Sequence, residues 1–193
     1  MERTSEEADL IRRCMAGDAR AYEPIVRACE GPALRVATGM LGDPDDARDA
    51  VQDAFVRAFQ ALDRFDAGRP FRPWLLRILR NRCNDLLRGQ RRRVGLEVLD
   101  ALPADHDGVG GRDGSGDAAD ARELIWRALG RIASEHREVL VLKELEGLRY
   151  AEIAQVAGIP EGTVASRLYH ARRALRSALE ALGYSGVSME VEP

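Results

Sequence analysis

Apolar residues recur at intervals of three and four along most of the chain, and no stretch alternates apolar with polar as a half-buried strand would. Helices are therefore predicted almost throughout. Glu6 to Ala16 and Ala19 to Cys29 read as two short helices parted by Gly17-Asp18, and a third segment continues to Leu41. Gly42-Asp43-Pro44 is a sharp boundary. Asp43 suits an N-cap, Pro44 suits the first helical position, and Asp45 and Asp46 suit the positive end of the helix dipole. Beyond it Ala47, Val51, Ala54, Phe55, Ala58 and Leu62 form one apolar stripe, with Asp49, Gln52 and Asp53 on the other side. Phe55 and Phe59 follow core spacing.

Pro73 opens a helix predicted to reach about Arg88. A step of about 100° per residue turns Leu75, Ile78, Leu79, Cys83 and Leu86 to the core. Arg77, Asn81, Asn84 and Arg88 form the opposite stripe, with Arg80 at its edge. Arg82 falls among the apolar positions, where an unpaired charge is costly, so a carboxylate partner on a neighbouring helix is expected.

The helical pattern breaks once. Val94 to Asp120 holds six of the 18 glycines and the run DGVGGRDGSGD, too little apolar surface to offset the entropy of ordering. The fold class predicted is all-α: a domain over residues 6–90, a flexible acidic, Gly-rich linker over 91–120, a second domain over 121–180 and a frayed tail over 181–193. Charge sharpens this division. Arg69 to Arg93 carries a local +8 and Val94 to Asp120 a local −6, while the whole chain is only −3. A basic block beside an acidic one points to a nucleic-acid partner more strongly than net charge does.

Several function classes drop out. No apolar run reaches the roughly 18 residues of a membrane span, and Glu2, Glu6 and Glu7 stand where a secretory signal would be basic, so a cytoplasmic location is expected. Cys14, Cys29 and Cys83 lack CxxC spacing and histidine companions, and read as free thiols; no metal or other cofactor is expected. Asp45, Asp46, Asp49 and Asp53 face no second carboxylate cluster and no histidine, and no nucleophile elbow, phosphate loop or HExxH motif occurs. The chain is not expected to be an enzyme.

Two segments carry chemistry. Five of the ten aromatics, Phe55, Phe59, Phe65, Phe71 and Trp74, precede the arginine and asparagine stripe. Single-stranded nucleic acid is held by flat apolar partners for bases and cations for the backbone. Phe65 and Phe71 flank the loop Asp66-Ala67-Gly68-Arg69-Pro70 and are equally open to a core or a base-contacting role. The second segment, YAEIAQVAGIPEGTVASRL, has a helix-turn-helix layout: Ala154 where the helices cross, Gly158 at the turn, Val164 and Leu168 as anchors. Thr163, Ser166, Tyr169, His170 and Arg173 point outward as candidate base readers, and Arg167, Arg172 and Arg176 at the margins are candidate phosphate contacts.

GDPDDARDAVQDAFVRAFQALDRF with FRPWLLRILRNRCNDLLR resembles region 2, and EHREVLVLKELEGLRYAEIAQVAGIPEGTVASRLYHARRAL resembles region 4, of the extracytoplasmic-function sigma factors of bacterial RNA polymerase. The resemblance implies docking on the clamp of core RNA polymerase through Asp49, Gln52 and Asp53. It implies melting of the promoter's -10 element, with Phe65, the following loop and Asn81 capturing an extruded base. With the basic stripe, the set implied for -10 DNA is Phe65, Arg69, Phe71, Arg77, Arg80, Asn81, Asn84 and Arg88. Ser166, Tyr169 and His170 would read the -35 element, other surfaces would meet the polymerase flap, and an anti-sigma factor is a possible further partner. The chain departs from the family pattern at Ala133-Ser134, where a proline is common and Ser134 is expected to cap the helix instead, and at Ala165 and His170, positions often basic in relatives. Apart from the resemblance, a stand-alone helix-turn-helix regulator binding an operator as a dimer is the other reading, though it gives the large first domain no task.

Overall fold

The structure, a computed structural model, describes residues 5–94 and 116–184. Most of the predicted linker and most of the predicted tail lie outside the described residues. Among those described there are eight α-helices, two short 3-10 turns and one π-helical segment, and no strand.

Helix α1 (Ser5–Met15) is followed by a 3-10 turn, Ala19–Ala21, and by α2 (Tyr22–Leu41). The two elements expected between Ala19 and Leu41 are thus one helix, with Gly31 and Pro32 inside it. Helix α3 (Pro44–Gln60) starts as expected: the Asp43 carboxylate accepts the backbone N–H groups of Asp45 and Asp46, each at 2.8 Å. Helix α4 (Phe71–Val94) begins before Pro73 and continues past Arg88. Helix α5 (Gly116–Gly130) begins inside the stretch read as linker, so helix replaces linker at both of its edges. Helix α6 (Ser134–Leu140) follows Ala133, and Ser134 is its first helical residue rather than its cap, with no side-chain capping bond. A π-helical segment, Val141–Leu145, then leads to α7 (Tyr150–Ala157) and α8 (Glu161–Glu180).

Leu75, Leu79 and Cys83 of α4 are fully buried, as their spacing requires, and Leu76 joins them although the spacing did not single it out. Its burial has a simple cause. Helix α4 packs on α2 and α3 along one side and on α7 along another, so its apolar face is wider than one stripe. Arg82 finds the carboxylate its position demands: Nε lies 2.8 Å from Asp53 Oδ2 on α3, an ion pair in which the N–H is not aimed at the oxygen. All three cysteines are buried free thiols, and burial pushes the thiol of Cys83 up to about 12. No described helix is long and apolar enough to cross a membrane.

The two halves meet directly. Val141 packs on Gly39 of α2 so closely that a Cβ at position 39 would stand 2.6 Å from its Cγ2. Only glycine permits this approach without a shift in the neighbour. Arg137 is the largest fully buried side chain among the described residues, and its guanidinium lies among helix-end carbonyls. It donates to the carbonyls of Leu129 at 2.8 Å, in the last turn of α5, of Ile132 at 3.0 Å, just after α5, and of Met40 at 3.1 Å, at the end of α2. Helix C-termini leave such acceptors unpaired and carry partial negative charge, so a buried cation is well placed there.

Candidate nucleic-acid interface

The helix-turn-helix reading starts at Gly158, which has φ 67° and ends α7 in the left-handed conformation that glycine adopts without strain. Ile153, Val156 and Ala157 of α7 and Val164, Leu168 and Ala171 of α8 are buried. They hold α8 from behind and fix its rotation. The Glu152 carboxylate closes the start of α7, accepting the Arg149 N–H at 2.9 Å and pairing with the same residue's guanidinium. Its pKa is held below the ordinary glutamate value chiefly by that side-chain bond.

On the outward face of α8, Ser166, Tyr169, His170 and Arg173 are exposed and Thr163 is half-buried. Their arrangement is ordered. Ser166 Oγ donates to the Thr163 carbonyl at 3.0 Å, the ring of Tyr169 meets that of His170 edge-on at 5.4 Å, and the Arg173 guanidinium lies 5.8 Å over the Tyr169 ring. The marginal arginines differ from this row. Arg167, Arg172 and Arg176 are half-buried, and Arg172 is bound to Glu144 at 2.9 Å.

On α4, Arg77, Asn81 and Arg88 are exposed and Asn84 is half-buried. A cleft of about 540 Å³ is lined by Arg80, Asn81, Asn84, Asp85, Leu87, Arg88 and, from the other half, Ser134. Arg88 pairs with Asp85, and Arg69, exposed in the preceding loop, stands 3.5 Å from Asp66. Arg80, in the wall of the same cleft, donates from Nε to Glu138 of α6 at 2.9 Å and from Nη1 to Asn81 Oδ1 at 3.4 Å. Burial pushes the Glu138 carboxyl above the ordinary range, against the lowering effect of Arg80.

Phe65 and Phe71 do not present faces to a ligand. Phe65 is 5% and Phe71 0% exposed, and they pack on each other at 5.6 Å and on Trp74 at 4.7 and 5.5 Å. The loop between them is short, so both ends point into the same core. The aromatic cluster underlies the loop rather than forming a stacking platform. Phe59 corrects the sequence reading in the opposite sense, being 42% exposed and leaning on Tyr22 at 5.0 Å.

On α3, Asp49 and Gln52 are exposed, whereas Asp53 is committed to Arg82. A groove of about 450 Å³ runs beside Gln52 between α2 and α3, with Val26, Leu34, Val51, Phe55 and Val56 among its lining. Spacing along one helix could not reveal this groove. Sequence reasoning also missed the charged residues between the halves. Glu146, its side chain fully buried, is held by Arg35 at 2.8 Å and by Arg72, which also donates to the Glu146 carbonyl. A signal existed at Arg137 and Glu138, adjacent charges leading directly into the apolar run Val139 to Leu142.

Residues 25–93 match the family model for Sigma-70 region 2, and residues 122–175 the model for Sigma-70, region 4. Both describe parts of one class of protein, the sigma-70 factors. The ECF RNA polymerase sigma-E factor of Escherichia coli (strain K12) is 31% identical over 180 residues, 90% of this chain and 94% of that protein. RNA polymerase sigma factor CnrH of Cupriavidus metallidurans is 38% identical over 185 residues, 91% of this chain and 96% of its own length. The solved structure of CnrH with the cytosolic domain of CnrY is similar at TM-score 0.69 and 32% identity, over 92% of this chain and 99% of that one. The sigma factor RpoE from Bartonella quintana, solved with the anti-sigma factor NepR, gives TM-score 0.70 at 27% identity, over 84% of this chain and 98% of that one. The chain belongs to the extracytoplasmic-function group of sigma factors. The match spans both halves, which favours a promoter-specificity subunit of RNA polymerase over a stand-alone operator binder.

Proposed function

We propose the following division of labour for this sigma factor. Helix α3 docks the chain on core RNA polymerase through Asp49 and Gln52, with the adjoining groove receiving apolar side chains of the polymerase. Asp53 supports that surface from within by holding Arg82. Helix α4 and the loop before it take the non-template strand of the -10 element, with Arg69, Arg77 and Arg88 on phosphates and Asn81 and Asn84 on a base, above the Phe65 and Phe71 pedestal. Helix α8 reads the -35 element in the major groove through Ser166, Tyr169 and His170, with Thr163 and Arg173 beside them and Arg167, Arg172 and Arg176 as phosphate contacts.

The observation that carries this reading is the exposed row on α8, fixed from behind by Val164, Leu168 and Ala171. Every task is binding, so the chain acts without catalysis of its own and without metal or cofactor, in the cytoplasm where polymerase and promoters are. An anti-sigma factor is a further proposed partner, as NepR is for the sigma factor of Bartonella quintana.

The polymerase-docking assignment is tested with the double variant Asp49→Ala/Gln52→Ala, which leaves Asp53 in place. Its affinity for core polymerase is expected to fall tenfold or more while its helical circular dichroism and melting temperature stay those of the parent. Parental affinity would remove α3 from the docking surface.

A further inference from the structure

Helix α1 carries none of the proposed contacts, yet it is built into the loop assigned to the -10 strand. It packs on the 3-10 turn Leu62–Arg64, which leads into that loop, and its Glu7 reaches the loop's other end. The Glu7 carboxylate accepts the backbone N–H of Phe71 at 3.3 Å. Phe71 is the first residue of α4, where an N–H has no partner within its own helix. It is also 0% exposed, so water cannot take the carboxylate's place while the contact is closed, and a buried donor left unpaired is costly.

The residues between Phe65 and Phe71 are held by local bonds. Asp66 Oδ1 accepts the Gly68 N–H at 2.8 Å, the Asp66 carbonyl accepts the Arg69 N–H at 2.8 Å, and Asp66 Oδ2 stands 3.5 Å from Arg69 Nε. A Cβ at position 68 would lie 2.8 Å from Asp66 Oδ1, so glycine is what lets that side chain fold back on the turn. Pro70 has a fixed φ and keeps Arg69 out of helical geometry. Arg69 is thus presented to solvent on a turn closed by its own bonds. A loop ordered in advance loses little conformational freedom on binding, and affinity gains by what is saved.

We infer that Glu7 is a positioning residue for strand capture: from α1 it fixes the return of loop 66–70 into α4, as Asp66 fixes its turn, and affinity for the -10 strand depends on both although Glu7 itself touches no DNA. The inference rests on the assignment of this loop to the strand and names what holds the loop in its binding shape. Charge alone predicts the opposite, since removing an acid close to a site for a polyanion would tighten binding.

The test uses the full chain assembled with core polymerase and two substitutions that separate reach from charge. Glu7→Asp keeps the charge and shortens the side chain by one methylene, which withdraws the carboxylate from the Phe71 N–H. Glu7→Gln removes the charge and keeps an acceptor oxygen at the same reach. The probe is a pool of short single-stranded DNA oligomers enriched from random sequence on the parental holoenzyme, read by fluorescence anisotropy with core polymerase alone as the blank. Glu7→Asp is expected to bind the strands about fivefold more weakly and Glu7→Gln to bind them as the parent does, with affinity for core polymerase unchanged in both. Amide exchange at Phe71 should quicken in Glu7→Asp and not in Glu7→Gln. Gly68→Ala, which disturbs the exposed turn and not the core, should lower strand affinity likewise, and it carries the test if Glu7→Asp loses its fold. Arg69→Ala separates the two readings. If it weakens strand binding while Glu7→Asp and Gly68→Ala bind as the parent does, the positioning role is overturned and the strand site stands. Equal weakening by Glu7→Asp and Glu7→Gln, or tighter binding by Glu7→Gln, would overturn it too. Parental strand affinity in Arg69→Ala would instead remove the loop from the strand site, and the positioning role with it.

Discussion

His170 and Arg172 stand two positions apart on α8, and the tasks proposed for them differ. His170 is exposed beside Tyr169, whereas Arg172 is half-buried and tied to Glu144. A base reader carries sequence information and a phosphate contact does not. His170→Ala should therefore alter preference at one -35 position, with a cost of roughly 1 to 3 kcal/mol for the favoured base. Arg172→Ala should weaken every promoter alike and flatten the salt dependence by about one unit of slope. Transcription from promoters randomised at -35 measures both. A His170→Ala ranking identical to the parent's would shift the reading role to Ser166 and Tyr169. At this scale the sequence was informative wherever one helix supplied the geometry. The outward row of α8 and the demand of Arg82 for a carboxylate were legible because a turn angle fixes them. The partners of Glu146 were not, since Arg35 and Arg72 are distant in sequence and approach it only through the fold.

At the scale of elements, helix type and order were legible and several ends were not. Gly31-Pro32 reads locally as a break, yet α2 runs through it because burial of Ile25, Cys29, Ala33, Val36 and Ala37 along one face outweighs a weakened turn. The aromatics around α4 show the same limit. Spacing assigned Phe59 to the core and left Phe71 undecided, but Phe71, where the short loop returns to the core, is 0% exposed, and Phe59, near the end of α3, is 42% exposed. The two positions make a sharp comparison. Phe71→Ala should cost about 3 to 5 kcal/mol of stability, as truncation of a fully buried aromatic does. Phe59→Ala should cost about 1 kcal/mol or less, as a partly exposed side chain does. Urea unfolding of the two variants measures the difference, and a larger loss at Phe59 would contradict the aromatic pedestal beneath the loop.

At the scale of the molecule, composition divided the chain into an arginine-rich and a helix-turn-helix half but gave no sign that they pack together. The contact is made by single residues, Gly39, Arg137, Glu138 and Glu146, whose neighbours in sequence do not specify their neighbours in space. Glu138 gives this contact a pH signature. Its carboxyl is raised above the ordinary 4.5, mainly by burial, so the folded chain binds the proton more tightly than the unfolded one. Its stabilising contribution is fully present below pH 4.5 and is lost as pH rises through the folded value. Glu138→Gln should therefore flatten the fall in stability over that window in denaturant titrations at stepped pH, and a slope identical to the parent's would show that Glu138 does not titrate in the contact.

As a sigma factor, the chain directs core RNA polymerase to promoters by joint reading of two elements. Joint reading is tested most directly by transcribing sheared genomic DNA with core polymerase, with and without the chain, and sequencing the 5′ ends of the transcripts. The expected outcome is a set of start sites that appear only with the chain, share one -35 and one -10 sequence at constant spacing, and disappear with the Asp49→Ala/Gln52→Ala variant. Start sites identical to those of core polymerase alone, or new ones with no common upstream sequence, would contradict it.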